Sequence, residues 1–270
     1  MKKELVAEQI GVIGCGWLGT PLAQHLVQSG YKVKGTTTTE GKLAKLEAFG
    51  IKGYTISITD EGVHGPIEQF LDGLSTVFIN IPPRLRKDPS GNYTKKISFL
   101  LDKITESKVS YVLFASSTAV YGNAEGTVDE DSPVTPSTAS GKQLVACEEM
   151  LSSKDNFISC IIRFAGLIGK DRHPITTLSK KGEVANANHP INLIQLNDCI
   201  SLVHYLISKK CTGLYNAVDD THPSKKEYYT QMAISRQLPI PQFIENDKEK
   251  GKVIISNKKN HIKYNGISYI

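Results

Sequence analysis

No stretch of this sequence stays apolar over the roughly 20 residues that a membrane-spanning helix needs, and a membrane partner is not expected. Cysteine is scarce, with five in 270 residues: Cys15, Cys147, Cys160, Cys199 and Cys211. No two of them stand at C-x-x-C spacing, so neither a zinc site nor a redox pair is expected. Their odd number, wide spacing and apolar surroundings fit buried free thiols in a reducing compartment rather than a disulfide framework. Neither sign of charge dominates, because 32 basic against 27 acidic residues leave a formal charge of +5. The densest basic run, Lys248 to Lys263, has the pattern of a solvated tail. It lacks the aromatic interleaving or module of a nucleic-acid binder. The first residues, Met1 to Gln9, are charged and have no apolar signal core. These absences together predict a cytoplasmic protein.

What is present is ordinary globular composition, 40% apolar and 22% charged, long enough for one large domain or one domain with a small appendage. Short aliphatic runs alternate with longer amphipathic segments, the pattern of βαβ units around a parallel sheet. Strands are predicted at Ile10–Ile13, Tyr31–Thr36, Tyr54–Ile58, Thr76–Ile81, Tyr111–Ala115, Ile158–Arg163 and Leu214–Val218. Helices are predicted at Leu18–Gln28, Leu43–Ala48, Ile97–Glu106, from near Thr138 through Leu151, from an Asp198 N-cap through Ile207, and near Lys225–Ile234. Ile191–Leu196 reads as extended. The fold class is α/β, a doubly wound parallel sheet of Rossmann type with a small C-terminal cap. Residues 1–166 are expected to form the core and residues 167–270 the cap, with 191–218 returning to the main sheet.

The first strand runs into Gly14-Cys15-Gly16-Trp17-Leu18-Gly19. A chain that turns sharply, lets a pyrophosphate approach its backbone and packs the next helix closely needs glycine at each of those three points. A G-x-G-x-x-G between an aliphatic strand and an amphipathic helix is the context in which the motif carries weight. Gly14, Gly16, Trp17, Leu18 and Gly19 are therefore candidate cofactor ligands, with the phosphates on the helix N-terminus. An NAD site usually has an acid at the end of the second strand. Here stand Thr36-Thr37-Thr38-Thr39, then Glu40 and Lys42. Hydroxyls at Thr37 and Thr38 with a nearby cation favour NADP; NAD stays open, since no arginine marks a 2′-phosphate site.

The segment Ser116-Ser117-Thr118-Ala119-Val120-Tyr121-Gly122 resembles the S-S-x-x-V-Y-G signature of the short-chain dehydrogenase/reductase superfamily, in its extended and atypical NAD-dependent epimerase/dehydratase branches. Arg163 to Gly169 followed by Arg172 resembles the R-x-x-x-x-x-G-x-x-R motif of those branches. Ile194-Gln195-Leu196-Asn197-Asp198 resembles their segment before a helix, and Ser256-Asn257-Lys258-Lys259 the S-N-K-R element of atypical members. The matches run in order along nearly the whole chain. The resemblance implies cofactor contacts at Asn80, Ile81, Pro82, Ser116 and Phe164, a catalytic role for Ser117, and Arg172 near an anionic substrate.

Active members carry Tyr and Lys one turn apart on the helix after the fifth strand, the cation lowering the phenol's pKa from about 10. Here those positions fall on Ser140 and Leu144. An alkyl hydroxyl is a far weaker acid than a phenol, and leucine carries no charge. Lys142 is about 200° around the helix from Ser140 and faces elsewhere. Substitute proton donors are Tyr121, His173, His189 and Asp198, each with a structural alternative: a packed ring, two solvated loop histidines and a helix cap. Three readings follow from these residues. One is an NADP-dependent oxidoreductase or epimerase/dehydratase of an unidentified small-molecule substrate. The second is a non-catalytic module that senses NADP(H), and the third is a structural relative that binds nothing. A homodimer is compatible with all three.

Overall fold

The computed structural model describes residues 8–85, 88–245, 250–258 and 267. Of the basic run near the C-terminus, Lys248, Lys259 and Lys263 lie outside the described residues, as do the first seven residues. No helix among the described residues is long and apolar enough to cross a membrane.

Strands β1 (Gln9–Ile13), β2 (Lys32–Thr37), β3 (Lys52–Thr55), β4 (Thr76–Ile79), β5 (Tyr111–Ser117), β6 (Ile158–Phe164) and β7 (Gly213–Ala217) form a seven-stranded sheet of order β7-β6-β5-β4-β1-β2-β3. The pairs β1–β2, β1–β4, β2–β3 and β4–β5 are parallel. The helices are α1 (Gly19–Gln28), α2 (Leu43–Ala48), α3 (Ile67–Leu71), α4 (Tyr93–Thr105), α5 (Ala139–Ser152), α6 (Ile175–Lys181), α7 (Leu196–Lys209) and α8 (Lys225–Ser235). The expected doubly wound α/β architecture is therefore the one adopted. Its central strands are continuous aliphatic runs because helices cover both faces of a parallel sheet. Val77, Phe78 and Ile79 in β4, and Val112, Leu113 and Phe114 in β5, are wholly buried.

Contacts divide the chain into two units, Met1–Ser116 with Ala139–Ile162 and Val203–Leu214, and Ser117–Thr138 with Arg163–Leu202 and Tyr215–Ile270. In the first unit α1 buries Leu22, Ala23 and Leu26. It stops in a Schellman turn, Tyr31 N–H donating to Leu26 O (3.1 Å) and Gly30 N–H to Val27 O (3.0 Å). The third strand is shorter than the predicted 54–58. Ser57–Ile58 leaves the sheet and pairs antiparallel with Val63–His64. Two features of this unit had no signal in the pattern. One is the five-residue helix α3, too short to show a period. The other is buried Lys34, whose ammonium donates to the carbonyls of Gln69 in α3 (2.9 Å) and of Asp72 just past its end (2.6 Å). A cation at a helix C-terminus satisfies carbonyls that the helix cannot bond itself.

The second unit is built from parallel two-stranded pieces, Gly166–Ile168 with Leu193–Gln195, Glu183–Ala185 with Gln242–Ile244, and Gly126–Val128 with Lys252–Ile254. Ile168, Ile175, Leu193, Tyr228 and Met232 form its apolar core. Asp198 corrects one expectation. It is buried and lies in the first turn of α7, which begins at Leu196, so it stands inside the helix and not at the N-cap position. A helix boundary is set by backbone bonds, and the residue before the apolar stripe is only a guide to it.

Glu130 is the hub of this unit. Its buried carboxylate accepts from Asn216 N–H (2.9 Å), Ser256 Oγ (2.5 Å) and Asn257 N–H (2.9 Å). The Asn216 side chain accepts from Tyr121 Oη (2.8 Å) and donates to Ile255 O (2.9 Å). Arg163 completes the chain, Nη1 donating to Tyr121 Oη (2.9 Å), with the guanidinium 4.9 Å from the centre of the Tyr121 ring. Three segments picked out by resemblance, at Tyr121, Arg163 and Ser256-Asn257, thus meet in one buried polar network. Such networks are stabilising only while every member is satisfied. A Glu130→Ala variant strands two backbone donors and a hydroxyl, and is expected to lose about 3 kcal/mol of stability. Glu130→Gln, which keeps one acceptor oxygen, should lose less. Urea unfolding followed by circular dichroism measures both.

His173 is buried beside this unit's core. Its Nδ1 accepts from Ile175 N–H (3.2 Å) at the start of α6, so Nε2 carries the proton and donates to Tyr228 Oη (3.1 Å). Burial lowers its pKa from 6.5 to about 4. Above pH 6.5 the folded and unfolded chains both carry the neutral ring. Between pH 6.5 and about 4 only the unfolded chain takes up the proton, so stability falls as the pH drops through that window. Thermal melting in steps from pH 7 to pH 4 should show this decline. A His173→Gln variant is expected to flatten its upper part, above the range where carboxylates titrate.

Candidate functional site

The order of the sheet reverses between β1 and β4. Open α/β sheets hold ligands at such a switch point, outside the carboxyl ends of the strands. The glycine loop lies there. Gly14 leaves β1 with φ of +99°, a conformation that costs glycine little and other residues much. A Cβ on it would stand 2.6 Å from the Asn80 carbonyl oxygen. Its N–H donates to Thr36 Oγ1 (2.9 Å) and the next N–H, of Cys15, to Thr36 O (2.8 Å). Gly16 N–H then closes on Gly14 O (2.8 Å). At Gly19 a Cβ would come within 2.2 Å of that same carbonyl, so α1 rests directly on the turn.

Gly16 is exposed, and a Cβ there would meet nothing within 4 Å. It faces open space, where a ligand can come up against bare backbone. Leu18, the N-cap residue of α1, makes no side-chain cap bond, and the first turn of the helix holds no acid. The positive end of the helix is left for an anion. Trp17 is half-buried and Leu18 buried, the leucine anchoring the loop in the core. A tight turn, a close helix and an open central glycine fit a dinucleotide pyrophosphate. The Cys15 thiol beside it is inert, its pKa pushed up to about 12 by burial.

At the end of β2, Thr36 and Thr37 are buried and Thr38 is exposed. Thr36 was not singled out in the sequence, yet its hydroxyl holds the glycine loop. The run of four threonines was the available signal, without indicating which one turns inward. Thr37 Oγ1 accepts from Thr39 N–H (3.2 Å), a local turn. Glu40 and Lys42 follow in an exposed 3₁₀ turn, and no acid stands at the strand end.

After β4, Asn80 takes a structural task. Its Nδ2 donates to Gly14 O (3.1 Å) and its N–H to Ile13 O (2.8 Å). The Ile81 carbonyl is likewise engaged, accepting from the buried Tyr93 hydroxyl (2.7 Å), while Pro82 is exposed. Ser116 is buried and donates to Glu148 Oε1 of α5 (2.5 Å). On the same helix Ser140 is half-buried, Leu144 is buried and Lys142 is exposed.

In the second unit Ser117 caps the 3₁₀ turn Thr118–Tyr121, its Oγ accepting from Ala119 N–H (3.2 Å). The Tyr121 phenol is held by Arg163 and Asn216, and burial raises its pKa from 10, which unfits it as an acid at neutral pH. His173 is neutral for the reason given above. The His189 ring packs on Gly251, where a Cβ would lie 2.9 Å from it. Phe164 is buried at the end of β6, and Arg172 is exposed.

Residues 9–84, a span that includes the glycine loop, match the family described as the NAD binding domain of 6-phosphogluconate dehydrogenase. Over 251 residues, 92% of this chain and 91% of the relative, the sequence is 33% identical to Protein YeeZ of Escherichia coli (strain K12). Among solved structures, a conserved protein of unknown function from Silicibacter pomeroyi DSS superposes with a TM-score of 0.79 at 22% identity, covering 97% of this chain and 95% of that one. The UDP-glucuronic acid 4-epimerase of Bacillus cereus, solved in complex with NAD, also gives 0.79, at 17% identity over 97% and 93%. At such identities the likeness is one of fold. The chain therefore belongs to the family of Protein YeeZ, and it is built on the NAD-dependent epimerase/dehydratase fold that its S-S-x-x-V-Y-G and glycine-loop motifs resemble.

Proposed function

We propose that this protein binds NADP(H) at the glycine loop and is an oxidoreductase or epimerase/dehydratase-type enzyme acting on a small-molecule substrate. The observation that carries the reading is the glycine triad. Gly14 and Gly19 have no room for a Cβ, while Gly16 opens on free space before an uncapped helix. Gly16, Trp17 and Leu18 would hold the pyrophosphate. Thr38 and Lys42, exposed at a strand end that lacks an acid, would favour the 2′-phosphate of NADP over the 2′-hydroxyl of NAD. When bound, the nicotinamide would give or take a hydride, and the protein would supply orientation. Ser117 would bond a carbonyl or hydroxyl of the substrate, and Arg172 an anionic group on it.

A second reading is favoured by one specific observation. Tyr121 and His173, which sequence offered as proton donors, are both bonded into buried structure and shifted away from acid chemistry. The protein would then sense the NADP(H) redox state without turnover. Incubating the purified protein with NADPH, and separately with NADP, over a panel of ketones, imines and sugar nucleotides separates the two. Oxidation of NADPH, or chromatographic conversion of a substrate with the cofactor returned unchanged as epimerisation or dehydration requires, supports the enzyme. Silence combined with unequal affinity for NADPH and NADP supports the sensor, because only differential affinity shifts an equilibrium.

Both readings expect the same result from a Gly16→Asp variant. The space at Gly16 lets the side chain in without disturbing the fold, while its charge occupies the phosphate position. NADPH affinity is expected to fall by about 100-fold, roughly 2.7 kcal/mol, with the melting temperature nearly unchanged. Titration of NADPH fluorescence and a melting curve check both halves. Undiminished binding by this variant would place the cofactor elsewhere.

A further inference from the structure

Glu148 is a buried carboxylate that neither reading has used. It lies on α5 one turn beyond Leu144 and two beyond Ser140, so the three share a helical face. Only 6% of its surface is exposed. Ser116 Oγ donates to its Oε1 at 2.5 Å, the length of a charge-assisted bond between hydroxyl and carboxylate. Ser116 itself stands at the carboxyl end of the sheet. Ile13 pairs with Ile79 and Ile79 with Phe114, which sets Gly14, Asn80 and Ala115 at the same level on three adjacent strands. Ser116 is the next residue outward on β5.

A serine hydroxyl owns one proton and two lone pairs. With the proton committed to Glu148, only lone pairs remain for anything else that meets Ser116. Leu144, on the same face, can anchor no polar group. We propose that Glu148 is a positioning residue for the dinucleotide. It holds Ser116 as an obligate hydrogen-bond acceptor for a donor on the nicotinamide side of the cofactor, a ribose hydroxyl or the carboxamide NH₂. Glu148 touches no ligand and acts through Ser116. The inference rests on the dinucleotide reading above. It adds which group orients the reactive half of the ligand, a task separate from gripping the phosphates.

The alternative is that the pair merely ties α5 to β5, and two probes distinguish them. NADPH carries both halves of the ligand, and adenosine 2′,5′-bisphosphate carries the adenine half alone. In the full-length protein, Ser116→Ala and Glu148→Gln are each expected to weaken NADPH about tenfold, the worth of one well-placed hydrogen bond. Both should leave the bisphosphate within about twofold. The glutamine acts because its amide can donate to Ser116 and free the serine proton to turn outward. The double variant should be no weaker than either single one, and Ser116→Thr, which keeps the hydroxyl, should restore affinity. Equal losses for both ligands, no loss for NADPH, or failure of both Ser116→Ala and Glu148→Gln to fold overturns the proposal in favour of a structural tie. If only Glu148→Gln fails to fold, Ser116→Ala and Ser116→Thr decide on the same two ligands. A wild-type protein that binds neither probe and does not bind NADH removes the dinucleotide reading and this inference together. Wild-type binding with indifferent variants removes the inference alone.

Discussion

The carbonyl oxygen of Gly14 is the point on which the first unit turns. It accepts from Gly16 N–H and from the Asn80 side chain, and a Cβ on Gly19 would lie 2.2 Å away. Through it the end of β1, the segment after β4 and the start of α1 are drawn to one place. The Thr36 hydroxyl adds the end of β2 by accepting from the Gly14 N–H. Three adjacent strands are thus tied at their carboxyl ends by backbone groups and two short side chains, with no charged residue involved. That neutrality matters for binding. An arginine or lysine in the turn would put its own charge where a pyrophosphate should sit, whereas amides and a helix dipole attract the anion and leave the space free.

The tie has to be rigid to be useful, and the core beneath supplies that rigidity. Strand β4 is buried throughout and β5 from Tyr111 to Phe114, and close-packed interiors transmit displacement instead of absorbing it. Asn80 and Ser116 stand just past these buried runs. Their polar side chains need partners at once, because a polar group at the edge of an apolar core is costly unpaired. Asn80 finds Gly14 and Ser116 finds Glu148. What looked in the sequence like polar residues waiting for a ligand are therefore first of all parts of the scaffold, and any ligand meets whatever bonding capacity they have left.

Much of this was legible in the residues. The strand–glycine–helix succession at 10–28, the aliphatic runs of β4, β5 and β6, and the order of the family motifs all depend on local pattern, which a sequence displays directly. The misses at Glu130 and Lys34 share one cause, which is a partner distant in the chain. Glu130 had no motif of its own, and it matters because Asn216 and Asn257, 86 and 127 positions later, bring their amides to it. Lys34 looks like a surface lysine on an alternating strand until the C-terminal end of α3 places two carbonyls over it. Asp198 stood where a cap is common, yet α7 begins two residues earlier and takes the carboxylate inside. Local propensity cannot register such contacts, and they are the ones that fix the roles of the polar residues.

The same reasoning bears on the missing catalytic pair. A tyrosine or lysine lost by itself would leave a polar hole on the inner face of α5. The face shows no such hole. Leu144 is buried at 3% exposure, where leucine packs well and an ammonium would need a partner. Ser140 is half-buried and small, and Glu148 has its hydroxyl donor in Ser116. The helix face is internally consistent as an apolar and hydroxyl surface with one satisfied anion. Replacing Ser140 by Tyr and Leu144 by Lys would therefore not rebuild the usual site, because the lysine would enter an apolar setting with Glu148 already engaged. On this face of α5 neither a phenol nor an ammonium is present at the positions where active relatives carry them.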